Sequence, residues 1–499
     1  MSTSFDQLKS ILAEINDLNR AIAVLSWDQE TYMPAGAAEA RGDQLATLGR
    51  IAHIKFTAPE VGALLETLKQ EESASPDSDE ARLVKVTTRN YEKATRVPPE
   101  FVAELAKVTT LAHEAWVKAR AETDFAVFRP HLEKIVALTR RYIGFFPPAE
   151  HPYDVLLDDY EPGMKTADVQ AIFTALRPQQ VALIQAIADR PQVDDSFLHQ
   201  HFPEKGQWDF GTEVITRFGY DWGCGRQDKA VHPFTIGIAP TDVRITTRVD
   251  EGYLSDMFFS TIHEAGHALY ELGLPATYER TPLGNAASLA FHESQSRMWE
   301  NLVGRSLPFW EGAYPRLQEI FPDQLGGVGL EAFYKGINKV SPSLIRVDAD
   351  EATYNLHIML RLEIEIGLIE GSIAVKDLPD AWNTRMQEYL GLTPPNDALG
   401  VLQDIHWSGG SIGYFSTYAL GNLIASQLWE QIHRDIPDLE HQMRCGDFAG
   451  LLGWLRTNVH GYGCKYEPQE LVQKVTGSKI DPAPYLRYLK GKYGEIYGL

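Results

Sequence analysis

The stretch His263-Glu264-Ala265-Gly266-His267 decides both the local fold and the chemistry to expect from it. The segment from Leu254 to Leu274 carries apolar residues at helical spacing and predicts a helix. On a helix, the two histidines lie one turn apart on one face, about 6 Å along the axis, where two imidazoles can share a metal ion. Glu264 projects about 100° round the helix, beside such a metal, where its carboxylate can accept a proton from water.

The His-Glu-x-x-His spacing is the signature of zinc peptidases, and a catalytic zinc site needs a third protein ligand. Glu271 lies on the same helix face, but about 12 Å of axial rise separates it from His263, so one ion cannot bind both. The extension that supplies a third histidine in metzincins is absent, because Tyr270 and Gly273 occupy its places. The third ligand must therefore come from another element.

A second helix is predicted from Asn285 to Gly304, and it carries His292-Glu293-Ser294-Gln295. Glu293 is the predicted third ligand, because His₂Glu is a known catalytic zinc set. His292 is the alternative ligand. Glu300 is interpreted as a carboxylate behind the ligands or at the surface.

Six short blocks stand in order along the second half of the chain. They are His232-Pro233-Phe234, Asp242-Val243-Arg244-Ile245-Thr246, His263 to His267, His292 to Gln295, Ile345-Arg346-Val347-Asp348-Ala349-Asp350, and Gly400-Val401-Leu402-Gln403-Asp404-Ile405-His406-Trp407. Through these blocks the chain resembles the thermostable metallocarboxypeptidases of the carboxypeptidase Taq type. The likeness extends into the N-terminal half, at Trp27 to Pro34 and at Tyr153 to Met164. The resemblance implies metal ligands at His263, His267 and Glu293, and a catalytic glutamate at Glu264.

Helical periodicity dominates the rest of the sequence. We predict helices at Phe5 to Leu25, Ala37 to Ile54, Glu80 to Thr95, Phe101 to Ala121 and Phe128 to Ile143. Alternating residues at 234–238 and 243–249 predict a small antiparallel sheet just before the zinc helix, whose edge can pair with a peptide backbone. The predicted fold class is mainly α, a large helical zincin-type (gluzincin-like) peptidase with a deep cleft. We expect a single peptidase unit over 1–499 with two lobes, a helical cap at about 1–200 and a catalytic region at about 201–499.

Composition limits the partners and the compartment. The chain has 46 basic and 68 acidic residues, a net charge of -22, which argues against nucleic acid and anionic membranes as partners. Cys224, Cys445 and Cys464 show no metal-binding spacing and fit a reducing cytoplasm. No secretory signal is expected at Met1 to Arg20, and no run reaches the roughly 18 apolar residues of a membrane span.

The oxyanion that forms during peptide hydrolysis needs a donor besides the metal. Tyr414, in a glycine-rich and aromatic segment, and His406 are the candidates, and the resemblance to zinc peptidases favours both. Aromatic packing is the alternative interpretation of Tyr414.

A free terminal carboxylate calls for an arginine, because the guanidinium fork matches its two oxygens. Arg346 is the first candidate and Arg244 the second, although either can instead form an ion pair with Asp348, Asp350 or Asp242; His232 is a third substrate-binding candidate.

These observations predict a zinc-dependent metallocarboxypeptidase that releases single amino acids from peptide C-termini, with Glu264 as the general base. The resemblance implies one Zn²⁺ per chain with Co²⁺ as a possible substitute, broad specificity without release of C-terminal proline, and a homodimer. An oligoendopeptidase or a peptidyl-dipeptidase on the same zinc core is the alternative. A catalytically silent peptide-binding protein is a further alternative, and the intact Glu264 argues against it.

Overall fold

The computed structural model describes residues 3–71 and 75–499, and most of these residues lie in helices. In chain order the helices of the first half are α1 (Thr3–Thr31), α2 (Ala38–Phe56), α3 (Pro59–Gln70), α4 (Asp79–Arg96), α5 (Pro99–Glu122), α6 (Phe125–Ile143), α7 (Asp154–Tyr160), α8 (Thr166–Ala188), α9 (Glu204–Phe218) and α10 (Leu254–Glu271). Those that follow are α11 (Leu289–Arg297), α12 (Leu307–Ile320), α13 (Pro322–Leu325), α14 (Leu330–Ile337), α15 (Tyr354–Glu370), α16 (Leu378–Leu390), α17 (Ser416–Asp435), α18 (Leu439–Arg444), α19 (Ala449–Asn458), α20 (Pro468–Thr476) and α21 (Ala483–Tyr497). None of the helices in these ranges is both long enough and apolar enough to cross a membrane.

The mainly helical fold predicted from periodicity is confirmed, and the predicted N-terminal helices recur with small shifts at their ends. The largest difference is in α1, which continues beyond the predicted Leu25 to Thr31. Its apolar stripe buries Leu8 and Leu12 against α3, where Val61 and Leu65 are also buried. This burial of apolar surface explains why the helical pattern could be read from the sequence.

A three-stranded sheet precedes α10, the helix that carries the His-Glu-x-x-His motif. Its strands are β1 (Gly225–Lys229), β2 (Thr235–Ala239) and β3 (Asp242–Thr247), in the order β1-β3-β2. The antiparallel pairing expected for the two predicted strands is present between β2 and β3, with a bulge between Gly237 and Ala239. The sheet is mixed, however, because β1 pairs with β3 in parallel. The short polar sequence of β1, Gly-Arg-Gln-Asp-Lys, carries no apolar alternation from which the strand could be predicted.

The chain forms two compact units, and each is assembled from three separate segments. The first contains residues 1–95, 194–337 and 428–477, and the second contains residues 96–193, 338–427 and 478–499. In the first unit, α10 packs against α9, α11, β2 and β3. In the second, α15 packs against α6, α8 and α16, and nearly all of its residues are buried. The expected boundary between cap and catalytic region at about residue 200 stays a prediction.

Candidate metal centre

Two helices of the first unit, α10 and α11, carry the predicted metal ligands. They approach closely at Gly266, where a Cβ atom would lie 2.6 Å from Cα of Ser296 and 2.7 Å from the carbonyl oxygen of Gln295. Only glycine fits between the two histidines of α10 at this distance. Helix α11 begins later than predicted, at Leu289, where the Ser288 side chain accepts a hydrogen bond from the N–H of Phe291.

The side chains of His263, His267 and Glu293 converge on one point. One ligand atom from each lies within 4.8 Å of the other two. Oε2 of Glu293 is 3.6 Å from Nε2 of His263 and 3.4 Å from Nε2 of His267. The structure therefore brings together the three residues that the spacing and the resemblance single out.

Glu293 is held by its own helix. Arg297, one turn further on, donates from Nε to Oε1 at 2.7 Å, and Ser296 donates to Oε2 at 3.0 Å. Burial opposes ionisation, but Arg297 and the two imidazoles hold the pKa of Glu293 well below its usual range. The carboxylate is therefore ionised, as a metal ligand must be.

Glu300 lies behind His263 on a π-helical stretch, Met298–Val303, that continues α11. Its Oε2 is 2.9 Å from Nδ1 of His263 and 3.2 Å from Nη1 of Arg297. Burial opposes the effect, but Arg297 and His263 lower the pKa of Glu300 to about 2. Such a carboxylate fixes the ring and tautomer of His263 and leaves Nε2 facing the centre. The sequence left two interpretations of Glu300, a carboxylate behind the ligands or one at the surface, and this contact agrees with the first.

His292 occupies the corresponding place behind His267. Its Nδ1 lies 2.5 Å from Nδ1 of His267, and its Nε2 lies 2.8 Å from Oε1 of Glu271. Both ring nitrogens of His292 are thus engaged by other side chains, and His292 supports His267 from behind and is not one of the three converging residues. Burial and His292 lower the pKa of His267 to about 3, so the ring is neutral and can bind a cation.

Glu264 lies beside the cluster and is held from β2. The hydroxyl of Thr235 is 2.7 Å from Oε2 of Glu264 and 2.8 Å from its backbone carbonyl. Burial raises the pKa of Glu264 above its ordinary value, while His263 and Thr235 oppose the rise. The sequence predicts the strand that supplies Thr235 but not its contact with Glu264, because the two residues stand 29 positions apart.

Two of the predicted substrate-binding residues lie in the same unit. Arg244 on β3 donates from Nε and Nη2 to Asp242 at 2.8 Å each, and its guanidinium covers the ring of Trp27 at 4.4 Å. This is one of the ion pairs that the sequence left open. His232 precedes β2 and is exposed.

Arg346, the first candidate for carboxylate recognition, belongs to the second unit, where it is buried. Its Nε and Nη2 donate to Oδ1 of Asp404 at 3.0 and 2.9 Å, and Nη1 donates to the hydroxyl of Tyr354 at 2.9 Å. Asp404 also accepts from Nε of Arg361 at 2.7 Å. The carboxylate that pairs with Arg346 thus comes from Asp404, in the block around His406, and not from the nearby Asp348 or Asp350.

His406 and Tyr414 also lie in the second unit and stack on each other, with ring centroids 5.4 Å apart. The hydroxyl of Tyr418 is 3.5 Å from Nε2 of His406. Burial lowers the pKa of His406 to about 4, with Asp404 opposing and Arg346 adding to the effect. The two candidates for oxyanion stabilisation are thus neighbours in one aromatic cluster.

Sequence reasoning missed Thr235, Arg297 and Asp404. A signal existed for Arg297, because Glu293 and Arg297 stand four residues apart on a predicted helix and Glu300 follows three residues later. Asp404 stands in the block from Gly400 to Trp407, but nothing in the sequence indicates that it pairs with Arg346. Thr235 carried no signal, since a threonine in a strand is ordinary.

An ionised carboxylate and two imidazoles on adjacent helices, with a further glutamate beside them, define a metallopeptidase of the zincin type. The comparison with known families agrees: residues 7–493 match the Carboxypeptidase Taq (M32) metallopeptidase family. The chain belongs to this family. It is a metallocarboxypeptidase, a hydrolase that acts on peptide bonds.

Relatives share this likeness over nearly the whole chain. Thermostable carboxypeptidase 1 of Thermus thermophilus is 42% identical, with 95% of this chain and 95% of the relative covered. Carboxypeptidase 1 of Bacillus subtilis is 36% identical, with coverage of 98% and 97%. The crystal structure of the M32 carboxypeptidase from Deinococcus radiodurans R1 matches with a TM-score of 0.97 at 42% identity and full coverage of both chains.

Proposed function

We propose that the enzyme is zinc-dependent, with His263, His267 and Glu293 as the metal ligands and Glu264 as the general base. The observation that carries the proposal is the position of the Glu264 carboxylate, which is buried beside the ligand cluster and oriented by Thr235. Glu264 is not one of the three converging residues, so its carboxylate is available to take a proton from water. Co²⁺ is a possible substitute for Zn²⁺, because the same ligands suit both ions.

The donor set fits a small divalent cation. His267 is neutral, Glu293 is ionised, and both histidines present Nε2 while Nδ1 is engaged by another side chain. This arrangement is typical of catalytic zinc sites with two histidines and one glutamate. When bound, the ion acidifies a water molecule and polarises the substrate carbonyl.

The residues of this chain perform the remaining steps. Glu264 accepts the proton of the attacking water and returns it to the amine of the departing amino acid. The Thr235 hydroxyl holds the carboxylate in place for both transfers. For the oxyanion we propose Tyr414, with His406 beside it, because a phenol and an imidazole can donate to developing negative charge.

One experiment tests both the reaction and the metal. The purified enzyme is incubated with an unmodified peptide, and the products are followed by mass spectrometry. The proposal expects a ladder of products that shorten one residue at a time from the C-terminus and stop at proline. Preincubation with a chelator abolishes the ladder, and Zn²⁺ or Co²⁺ restores it. Internal fragments, or turnover unaffected by the chelator, would contradict the proposal.

We further propose broad side-chain specificity, a homodimer and a cytoplasmic location. The resemblance to the carboxypeptidase Taq family supports the first two. The three cysteines support the third, because Cys224, Cys445 and Cys464 are free thiols, as is usual for a reducing compartment. Light scattering coupled to gel filtration measures the mass of the assembly and contradicts the homodimer if it gives 55.9 kDa.

A further inference from the structure

A cavity of ≈ 340 Å³ lies in the first unit between α1 and the turn that joins β2 to β3. Its wall includes Glu271, the last residue of α10, and Gly237 of β2. The volume is within the range of sites that bind small molecules or parts of larger ones. The proposed mechanism assigns no role to this cavity.

The cavity has one carboxylate with an uncommitted oxygen. Glu271 binds His292 through Oε1, whereas Oε2 makes no hydrogen bond to any of residues 3–71 and 75–499. Oε2 points to the cavity wall at Gly237, 2.7 Å from where a Cβ atom would stand. The other charged residue of the wall, Arg20, is matched by Glu279, 3.0 Å away. The remaining polar wall consists mainly of neutral amides, among them those of Asn16, Asn19 and Asn285.

Strand β2 leads from the proposed base to this cavity. Thr235 contacts Glu264, and Gly237, two residues further along the same face, lies against Glu271. Thr235 and Gly237 lie about 7 Å apart along the strand. Glu264 and Glu271, which these two residues contact, lie about 10 Å apart along the helix axis. An extended peptide covers this distance with about three residues.

The backbone of β2 offers a track for such a peptide. The N–H of Thr246 donates to the carbonyl of Phe234 at 2.9 Å. Phe234 and Thr246 are therefore a hydrogen-bonded pair at the end of the antiparallel ladder between β2 and β3. Since bonded and non-bonded positions alternate in an antiparallel pair, the backbone groups of Thr235 and Gly237 turn away from β3. A carboxypeptidase releases one residue at a time, so a subsite three residues from Glu264 must receive the amino-terminal side of the substrate.

We propose that this cavity is a subsite for a positively charged group of the substrate, recognised by Glu271. The group is carried about three residues on the amino-terminal side of the cleaved bond. It is either the free ammonium of a tetrapeptide or the side chain of lysine or arginine at the same distance. The inference rests on the proposed role of Glu264 at the other end of β2.

The test compares kcat/KM for tetrapeptides of one sequence with a free and with an acetylated amino end. A charge-assisted contact with Glu271 gives the free peptide an advantage of about tenfold. An acetylated tetrapeptide that begins with lysine recovers the advantage if side chains also reach the cavity. The advantage is smaller for the matched tripeptide and pentapeptide pairs, because their amino groups miss Glu271.

Two variants locate the effect. Asn19→Lys places a cation in the cavity wall and should reduce the ratio of the two kcat/KM values toward one. Ser10→Lys adds the same charge to the exposed side of α1 outside the cavity and should leave the ratio unchanged. Glu271→Gln should also reduce the ratio. Because the ratio is taken on one enzyme preparation, any change in metal occupancy through His292 cancels.

Equal kcat/KM for free and acetylated peptides of every length in the unmodified enzyme overturns the proposal. A ratio preserved in both Asn19→Lys and Glu271→Gln overturns it too. Failure of the proposed function has a different signature, since no C-terminal residue is then released from any of these peptides.

Discussion

Nδ1 of His292 lies 2.5 Å from Nδ1 of His267, so an imidazole orients the second histidine of the candidate metal centre. His263, the first histidine, is oriented instead by the carboxylate of Glu300. Because Nε2 of His292 faces the carboxylate of Glu271, that nitrogen carries the proton and Nδ1 accepts one from His267. The two histidines of the motif are thus oriented by different groups, His263 by a carboxylate and His267 by an imidazole.

Removal of His292 should weaken metal binding without removing a ligand. In His292→Ala, the ring of His267 loses its partner, and the metal dissociation constant should rise about 10- to 100-fold. Competition with a chromophoric chelator measures this constant. His53→Ala, an exposed histidine of α2, is the control and should bind metal as the unmodified enzyme does.

Loss of Glu293 should be more severe than loss of His292, because Glu293→Ala leaves only two imidazoles to hold the ion. We expect little metal to remain after dialysis of Glu293→Ala, whereas His292→Ala retains a measurable fraction. Metal content by atomic emission checks the order. The reverse order would mean that His292 is the third ligand.

The proposed base predicts separate effects on metal binding and on turnover. Glu264→Gln should bind metal normally and lose at least about two orders of magnitude in kcat. Thr235→Val removes the hydroxyl that orients the carboxylate and should cost about tenfold. Thr235→Ser, which keeps the hydroxyl, should recover most of this loss. Near-normal kcat in metal-replete Glu264→Gln would contradict the assigned role.

The convergence of the three candidate metal ligands could be predicted because most of it is local in sequence. The two histidines and Glu264 share one helix, and Glu293 stands in a block that the family resemblance marks. The spacing of the histidines fixes their common face by helix geometry alone. The placement of Glu264 beside the histidines follows from the same geometry.

Contacts between distant segments could not be predicted. Arg346 and Asp404 stand 58 residues apart, and each has acidic or basic neighbours that compete as partners in sequence. Thr235 reaches Glu264 only because β2 packs against α10. The parallel strand β1 was missed because its polar residues lack the alternation that burial imposes on a strand.

We expect Glu365 to make the stability of the second unit depend on pH. Its carboxylate is fully buried and accepts hydrogen bonds from Tyr153, Trp407 and the N–H of Gly413. Burial raises the pKa of Glu365 from 4.5 to about 7, although the hydrogen bonds oppose the rise. In the folded protein Glu365 therefore keeps its proton up to about pH 7, whereas in the unfolded chain it releases the proton near pH 4.5. This contribution to stability is complete below pH 4.5 and is lost as the pH rises through about 7.

Glu365→Gln imitates the protonated form of Glu365. The variant has no carboxyl group to ionise at this position, so it should lack this fall in stability with rising pH. As the pH rises from 5 to 8, the stability of the unmodified protein should fall relative to the variant by up to about 3 kcal/mol. Thermal unfolding of both proteins at several pH values measures the difference in Tm. Glu133→Gln, at an exposed position of α6, is the control and should follow the unmodified protein. A Tm difference that does not change with pH would contradict the prediction.

Arg346 remains the predicted anchor of the terminal carboxylate, and its burial adds a consequence for stability. Arg346→Ala leaves Asp404 with Arg361 as its remaining guanidinium partner, so Tm should fall. If the remaining N–H groups of Arg346 hold the substrate, kcat/KM on free-acid peptides should fall about thirty- to a thousandfold. The preference for a free-acid over an amidated peptide should largely disappear as well.

Two further variants separate anchoring from destabilisation. Arg346→Lys should recover only part of the activity, because a point charge lacks the planar fork that matches a carboxylate. Arg244→Ala, at a residue that is paired with Asp242 and covers Trp27, should keep the preference for the free acid. The measurement is the ratio of kcat/KM for one peptide as acid and as amide, taken below the Tm of every variant. A preference that survives in Arg346→Ala but is lost in Arg244→Ala would move the anchor to Arg244, because only the group that binds the carboxylate can distinguish it from an amide.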